Sequence, residues 1–339
     1  MAHADSRLGI YYEHPDWYRP LFEELDRRGV KYDALHADEH RYDPSLTTSP
    51  YAVVFNRMSP SAHTRGRGHL TFYTSQYLAH LERLGVRVIN GVDAWRTEIS
   101  KAYQLTLLED LRLPYPRARV IHHASQASAA ARGLRFPVVV KPNIGGSGAG
   151  IIRFDTADAL ERRSREGLDL GIDQTALVQE YITPDEGRIV RVEVLDGRFL
   201  YAIRIYTTGD TFNLCPADLC QDVTGSELAR AACPADAPKN NLRVEAYAPP
   251  SEIVAAAERI MKASGIEIGG VEYMIDARDG RPVFYDINAL SNFVADAPRV
   301  IGFDPFARLA DWLVDELDGA RQGEPAFSEQ AAEPTGMLS

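Results

Sequence analysis

Cysteine and lysine are scarce in this chain of 339 residues, and each scarcity is informative. The three cysteines, Cys215, Cys220 and Cys233, form an odd and sparse set, which fits a reducing cytoplasm rather than a disulfide scaffold. They also lack the paired C-x-x-C spacing of a structural zinc site. No apolar run approaches the roughly 20 residues that a membrane-spanning helix needs. The opening residues, MAHADSRLGIYYEH, show no basic segment followed by an apolar stretch, so no secretory signal is expected. Positive charge is in deficit. Against 48 acidic residues stand 37 lysines and arginines, a net charge of −11 that argues against binding a nucleic-acid backbone. Lysine occurs only at Lys31, Lys101, Lys141, Lys239 and Lys262, so a lysine in an unusual place carries information.

What remains is an ordinary globular composition, 45% hydrophobic and 25% charged, with length enough for two or three cores. The first ~96 residues alternate strands (Arg7–Tyr12, Lys31–His36, Tyr51–Asn56, Val86–Ile89) with helices (Trp17–Arg28, Leu70–Leu84), the pattern of a small parallel sheet with crossovers. A helix is expected over Glu98–Leu111. Short strands and helices then follow to Glu180, as in an α+β lobe. Beyond Arg188 the strands lengthen into two hairpins, turning at Asp196-Gly197 and Asp279-Gly280. Residues 208–247 have no clear period, which suggests a functional loop or cover. A helix over Phe306–Leu317 closes the chain, and a disordered tail is expected from 319 to 339.

Three features carry chemistry. Val138-Val-Val-Lys141-Pro leads into a loop, Gly145-Gly146-Ser147-Gly148-Ala149-Gly150, and a strand follows. Glycines let backbone N–H groups approach phosphate oxygens. The order is not that of a P-loop, where lysine follows the glycines and opens a helix. It also fails the dinucleotide register, because Ser147 occupies the second required glycine. Lys101 begins a helix, where a cation opposes the macrodipole unless it reaches an anion or solvent. Glu272, Asp286 and Asn288 can converge on one face of the second hairpin. Two carboxylates and an amide oxygen make a hard donor set suited to Mg²⁺. Arg57 follows a buried strand, at the end where open α/β sheets place ligands; Ser291 and Asn292, just past the last hairpin, are further pocket candidates.

Taken in order, Ser100-Lys101, Lys141-Pro with Gly145–Gly150, Val178-Gln179-Glu180-Tyr181-Ile182, Arg191, Arg204, Asn213, Gly270-Val-Glu272 and Asp286-Ile-Asn288 resemble the ATP-grasp superfamily. The likeness is to its carboxylate–amine ligase branch, which includes ribosomal-protein glutamate ligases and glutathione synthetase. It covers about Thr97 to Leu317. The resemblance implies an α/β and α+β architecture: two α+β lobes gripping ATP (97–180 and 181–318), preceded by a small parallel-sheet domain (1–96). It further implies that Lys101 and Lys141 hold phosphates under the loop of Gly145, Gly146, Ser147 and Gly148. Gln179–Ile182 would be the hinge that reads the adenine edge, with Glu180 taking part. Asp185 or Glu186 would grip the ribose, since Ile189 stands where relatives carry an acid. Glu272, Asp286 and Asn288 would hold Mg²⁺, two ions or Mn²⁺ in their place; Asp286 stands where Glu is more usual. Arg191 and Arg204 would face the transferring phosphoryl group, with Asn213 nearby.

The expected activity is amide formation from a carboxylate and an amine through an acyl phosphate. A carboxylate resists amine attack because oxide would have to leave, and phosphoryl transfer supplies a better leaving group. The expected partners are small-molecule carboxylate and amine substrates, with no nucleic acid and no membrane. Homo-oligomerisation stays open, as do two alternatives: phosphotransfer to a small molecule, and a non-catalytic nucleotide-binding subunit.

Overall fold

Strand β1 (Arg7–Tyr12) buries Leu8, Gly9, Ile10 and Tyr11 in succession, the signature of a strand covered on both faces. The structure, a computed structural model, describes residues 7–14, 16–145, 150–206 and 243–322. Helix α1 (Arg19–Arg27) carries a proline in its first turn, where no N–H is needed, and the chain reverses at Gly29 with φ of 69°. Next come β2 (Tyr32–His36), β3 (Tyr51–Arg57), α2 (His69–Arg83), β4 (Arg87–Ile89) and α3 (Val92–Glu98). The four strands form a parallel sheet in the order β2-β1-β3-β4.

The helix expected over Glu98–Leu111 begins only at Lys101, and a separate helix, α3, ends at Glu98. Ser100 adopts an extended conformation and its Oγ accepts the Tyr103 N–H at 3.2 Å, capping a fresh helix α4 (Lys101–Asp110). The cap sets Lys101 at the first helical position. Although α4 was expected in the central lobe, its Leu105 and Leu108 pack on the C-terminal sheet.

The central lobe comprises β5 (Ala118–Ile121), α5 (Ala127–Ala130), β6 (Val138–Pro142), β7 (Ile152–Phe154), α6 (Ala157–Glu166) and β8 (Ala176–Glu180). Its antiparallel sheet runs β5-β8-β6-β7. Val138, Val140, Val178, Phe154 and Leu160 form a core of its own.

The C-terminal lobe contains β9 (Pro184–Leu195), β10 (Arg198–Tyr206), β11 (Arg243–Tyr247), α7 (Ser251–Ser264), β12 (Ile268–Asp276), β13 (Pro282–Asn288), α8 (Ala297–Ile301) and α9 (Pro305–Gln322). Its sheet runs β11-β10-β9-β12-β13, antiparallel throughout. Asp196 and Gly197 both take positive φ, 54° and 65°, as a two-residue hairpin turn requires. Strand β9 starts four residues earlier than the sequence suggests, because a proline fits the first position of a strand. Helix α9 runs three residues past Gly319, where the tail was expected to begin, because Leu313, Leu317 and Ala320 continue its apolar stripe.

Alternation gives the C-terminal sheet two different faces. Val190, Val192, Val194, Tyr273 and Phe284 lie under α4 and α7. On the other face, Ile189, Ile203 and Met274 share a core with Leu8, Ile10, Val53 and Phe55 of the N-terminal sheet. Asn90 ties these two units further. Its Nδ2 donates to the carbonyls of Ile268 (2.7 Å) and Ala289 (2.6 Å), and its Oδ1 accepts from the Glu267 N–H (3.0 Å).

Candidate active site

Lys141 stands in register with Leu177 on the face of the central sheet opposite Val138, Val140 and Val178. It therefore points out of its own lobe's core, yet it is buried. Burial, and then the charge of Lys101, pull its ammonium down to about 7. Asn143, three residues after the strand's valines, fixes the neighbouring lysine. Its Oδ1 accepts from the Ala102 N–H (2.9 Å) and the Ser100 hydroxyl (3.2 Å), and its Nδ2 donates to Asp173 (2.7 Å). The start of α4 is thereby tied to the loop after β6. A Cβ on Gly145 would lie 3.7 Å from the Lys101 side chain, so the first glycine of the loop sits beside this lysine. Gly146, Ser147 and Gly148 lie outside the described residues, as do Asn213 and the three cysteines.

Opposite the lysines, Glu272 pairs in register with Asp286, and Gly270 with Asn288. Glu272, Asp286 and Asn288 thus share one face, as alternation predicts. A register shift beside Glu272 leaves Tyr285 as an extra residue in β13. Its hydroxyl turns to donate to Glu272 Oε2 at 2.9 Å. Lys101 Nζ bonds directly to the Asp286 carboxylate. Burial opposes both charges, but the pairing prevails, so the Lys101 ammonium is raised and the Asp286 carboxyl lowered. Burial raises Glu272, against the pull of Arg191. No group of three or more histidines, cysteines, aspartates or glutamates suited to a metal converges among the described residues. The donor set here is two carboxylates and the Asn288 amide.

Arg191, almost fully buried, donates from Nη1 to Glu272 (2.9 Å) and from Nε to Glu193 (2.5 Å). Arg204 is not brought to this cluster. It pairs in register with Val190, not Arg191, so it belongs to the opposite face, where it donates to Glu245 (3.2 Å) and lies 3.9 Å from the centre of the Tyr247 ring. At the hinge, Gln179 shares the face of Lys141, and its Oε1 is buried with no hydrogen-bond partner among the described residues. Glu180 points the other way. Its carboxylate accepts from the Arg135 N–H (3.0 Å) and Arg117 (3.3 Å). The Tyr181 N–H is taken by the Pro137 carbonyl (2.9 Å), and Ile182 joins the shared core. Asp185 (2.7 Å) and Glu186 (3.1 Å) both pair with Arg188.

The three substrate candidates that can be placed do converge. Arg57 Nη2 donates to the Ser291 carbonyl, and Asn292 follows. Arg57 Nε and Nη1 and Asn292 Oδ1 are buried without partners among the described residues. The residues that sequence reasoning missed are acidic or supporting. Glu193 was legible by alternation, two positions after Arg191. Glu98, which accepts the Ala289 N–H and is raised to about 7 by burial, carried no local signal, and neither did Asn143.

Lys141 of the central antiparallel sheet and Lys101 at the start of α4 gather by the carboxylates of the C-terminal antiparallel sheet. That arrangement is the ATP-grasp fold. Residues 99–214 match the RimK-like ATP-grasp domain. The carbamoyl phosphate synthase large chain of Thermus thermophilus is 28% identical over 70% of this chain, which spans only 22% of that protein's length. The D-alanine–D-alanine ligase of Alkalilimnicola ehrlichii is 25% identical, with 84% of each chain covered. Among solved structures, the ATP-grasp ligase PsnB with a precursor variant, Mg and ADP superposes with a TM-score of 0.64 at 21% identity, covering 92% of this chain and 99% of its own.

Proposed function

We propose that this protein is an ATP-dependent carboxylate–amine ligase, acting in the cytoplasm on an amino acid or small peptide. The observation that carries the reading is the meeting of Lys101 and Lys141 with Glu272, Asp286 and Asn288 across one cleft. The donor set fits a divalent cation: oxygen-only, doubly anionic and on one face, as Mg²⁺ prefers and Mn²⁺ accepts. The Gln179 Oε1, buried without a hydrogen-bond partner among the described residues and on the face of Lys141, fits the edge of a purine. When bound, the metal neutralises phosphate charge. Glu272, Asp286 and Asn288 would hold it, and Lys101 and Lys141 would hold phosphate oxygens. Arg191 would face the charge that develops on the transferring group. Arg57 of the N-terminal domain and Ser291 and Asn292 of the C-terminal lobe meet at one place and would receive a substrate, since burying a guanidinium with unused N–H groups is costly unless a ligand's acceptor meets it. No nucleophilic side chain is required, because the acyl phosphate is itself the activated species.

A phosphate-release screen of amino-acid pairs with Mg²⁺-ATP, followed by mass spectrometry, tests the reading. Amide products with ADP are expected. A stable phosphorylated acid or alcohol formed without an amine would make the protein a phosphotransferase. Nucleotide binding without turnover across the panel would make it a binding subunit.

A further inference from the structure

We propose that Glu193 is a positioning residue that holds Arg191 while Glu272 is shared with a divalent cation. The proposal rests on the metal-nucleotide reading and adds a residue which that reading leaves idle. Glu193 and Arg191 are each 1% exposed, so neither can turn to water for compensation. The Arg191 guanidinium lies so close over Gly270 that a Cβ there would stand 2.7 Å from its Nε and Nη2. In register, Glu193 faces Gly270 and Arg191 faces Glu272, so the guanidinium crosses diagonally between two carboxylates. They are not equivalent. Glu272 sits across from Asp286 and receives Tyr285, at the edge where the metal donors gather. Glu193 lies a register step away, with Arg57 in its electrostatic reach, and its Oε2 is buried without a hydrogen-bond partner among the described residues.

A divalent ion drawn to Glu272 and Asp286 withdraws negative charge from Arg191 and repels it. A buried guanidinium stripped of its counter-charge is strongly unfavourable. Glu193 keeps one ion pair intact through that exchange, and its spare oxygen is able to accept a second N–H as the contact with Glu272 loosens. A purely structural pair would contribute alike with and without metal. The exchange role makes the effect of Glu193 depend on the metal.

The test is a Mn²⁺ titration in the presence of ADP, followed by electron paramagnetic resonance of the free ion, on wild-type protein, Glu193→Gln and Glu193→Asp. Glu193→Gln is expected to weaken Mn²⁺ affinity about tenfold or more, because Arg191 then leans wholly on Glu272; Glu193→Asp, which keeps the buried charge and folds, should show a smaller loss. Mn²⁺ affinity in Glu193→Asp and Glu193→Gln equal to wild type, with only a lowered melting temperature, overturns the proposal and leaves the ligase reading standing. Wild-type protein that takes up no Mn²⁺ with ADP overturns both.

Discussion

Against the N-terminal domain, the C-terminal lobe sets a shared apolar core and the hydrogen bonds of Asn90; against the central lobe it sets charges, Asp286 and Glu272 within electrostatic reach of Lys141 and Arg278 near Glu180. The first seam also carries Arg87, bonded to Glu267 (2.9 Å) and Glu316 (2.8 Å), and Arg57 on the Ser291 carbonyl. Leu177 brings the central lobe only marginally into the apolar packing under α4 and α7, and the rest of its core is its own. Apolar burial has no substitute in a ligand, so the first seam is fixed. Ion pairs can be exchanged for phosphate and metal at small net cost, so the second seam suits a site that must open, fill and empty.

The sharpest break of the charged seam is Lys141→Ala, which should lower ATP turnover by about 100-fold or more while leaving the circular dichroism of the fold unchanged. At the apolar seam, Asn90→Ala should cost about 2–4 kcal/mol in urea unfolding, since it strips partners from two buried carbonyls and a buried N–H. Gly270→Ala sits between these extremes. Its Cβ meets the Arg191 guanidinium, so a loss of about 1–3 kcal/mol is expected together with reduced turnover.

Protons should discriminate as well. Lys141, held at about 7, is neutral in the fold across an interval where the unfolded chain binds a proton. Its contribution to stability therefore rises with pH from about 7 towards its ordinary value of 10.5, and Lys141→Met should flatten that rise in unfolding curves. Phosphates would draw the ammonium back up, so calorimetry in two buffers between about pH 7 and 8 should register proton uptake on ATP binding, absent in Lys141→Met. Glu98 has the opposite sign. Raised from 4.5 to about 7, it stabilises the fold at low pH and loses that contribution as pH rises through 7. The smallest effect is expected from a cut after Gly319, which removes the Ala320 methyl and a fraying turn, about 1 kcal/mol by denaturant melting.

How much was readable depended on the range of the signal. Periodicity placed most strands and helices, because alternation and amphipathic spacing are local. The Ser100 cap was hidden in a helix-compatible run, so the start of α4 was read three residues early. The shared face of Glu272, Asp286 and Asn288, and the face of Lys141, were readable because these residues lie in short patterned strings whose faces follow from counting. Arg204 was expected beside Arg191, and the register separates them: the parity of the β9–β10 hairpin puts them on opposite faces. The hydrogen bonds of Glu180 to Arg117 and the Arg135 N–H join segments 63 and 45 residues apart, a pairing with no local pattern. The partners of Asn143 and Glu98 come from distant segments, and no sequence pattern announces such pairings.

Asn90 also bears on how the molecule comes off the ribosome. Its acceptors and donors are at residues 267, 268 and 289, and those of Arg57 and Arg87 at 291, 267 and 316. The first sheet is thus translated long before the groups that satisfy its interior exist, and the whole central lobe emerges in between. Residues 1–96 expressed alone should be insoluble, and the nascent chain should depend on chaperones until its last third has been made.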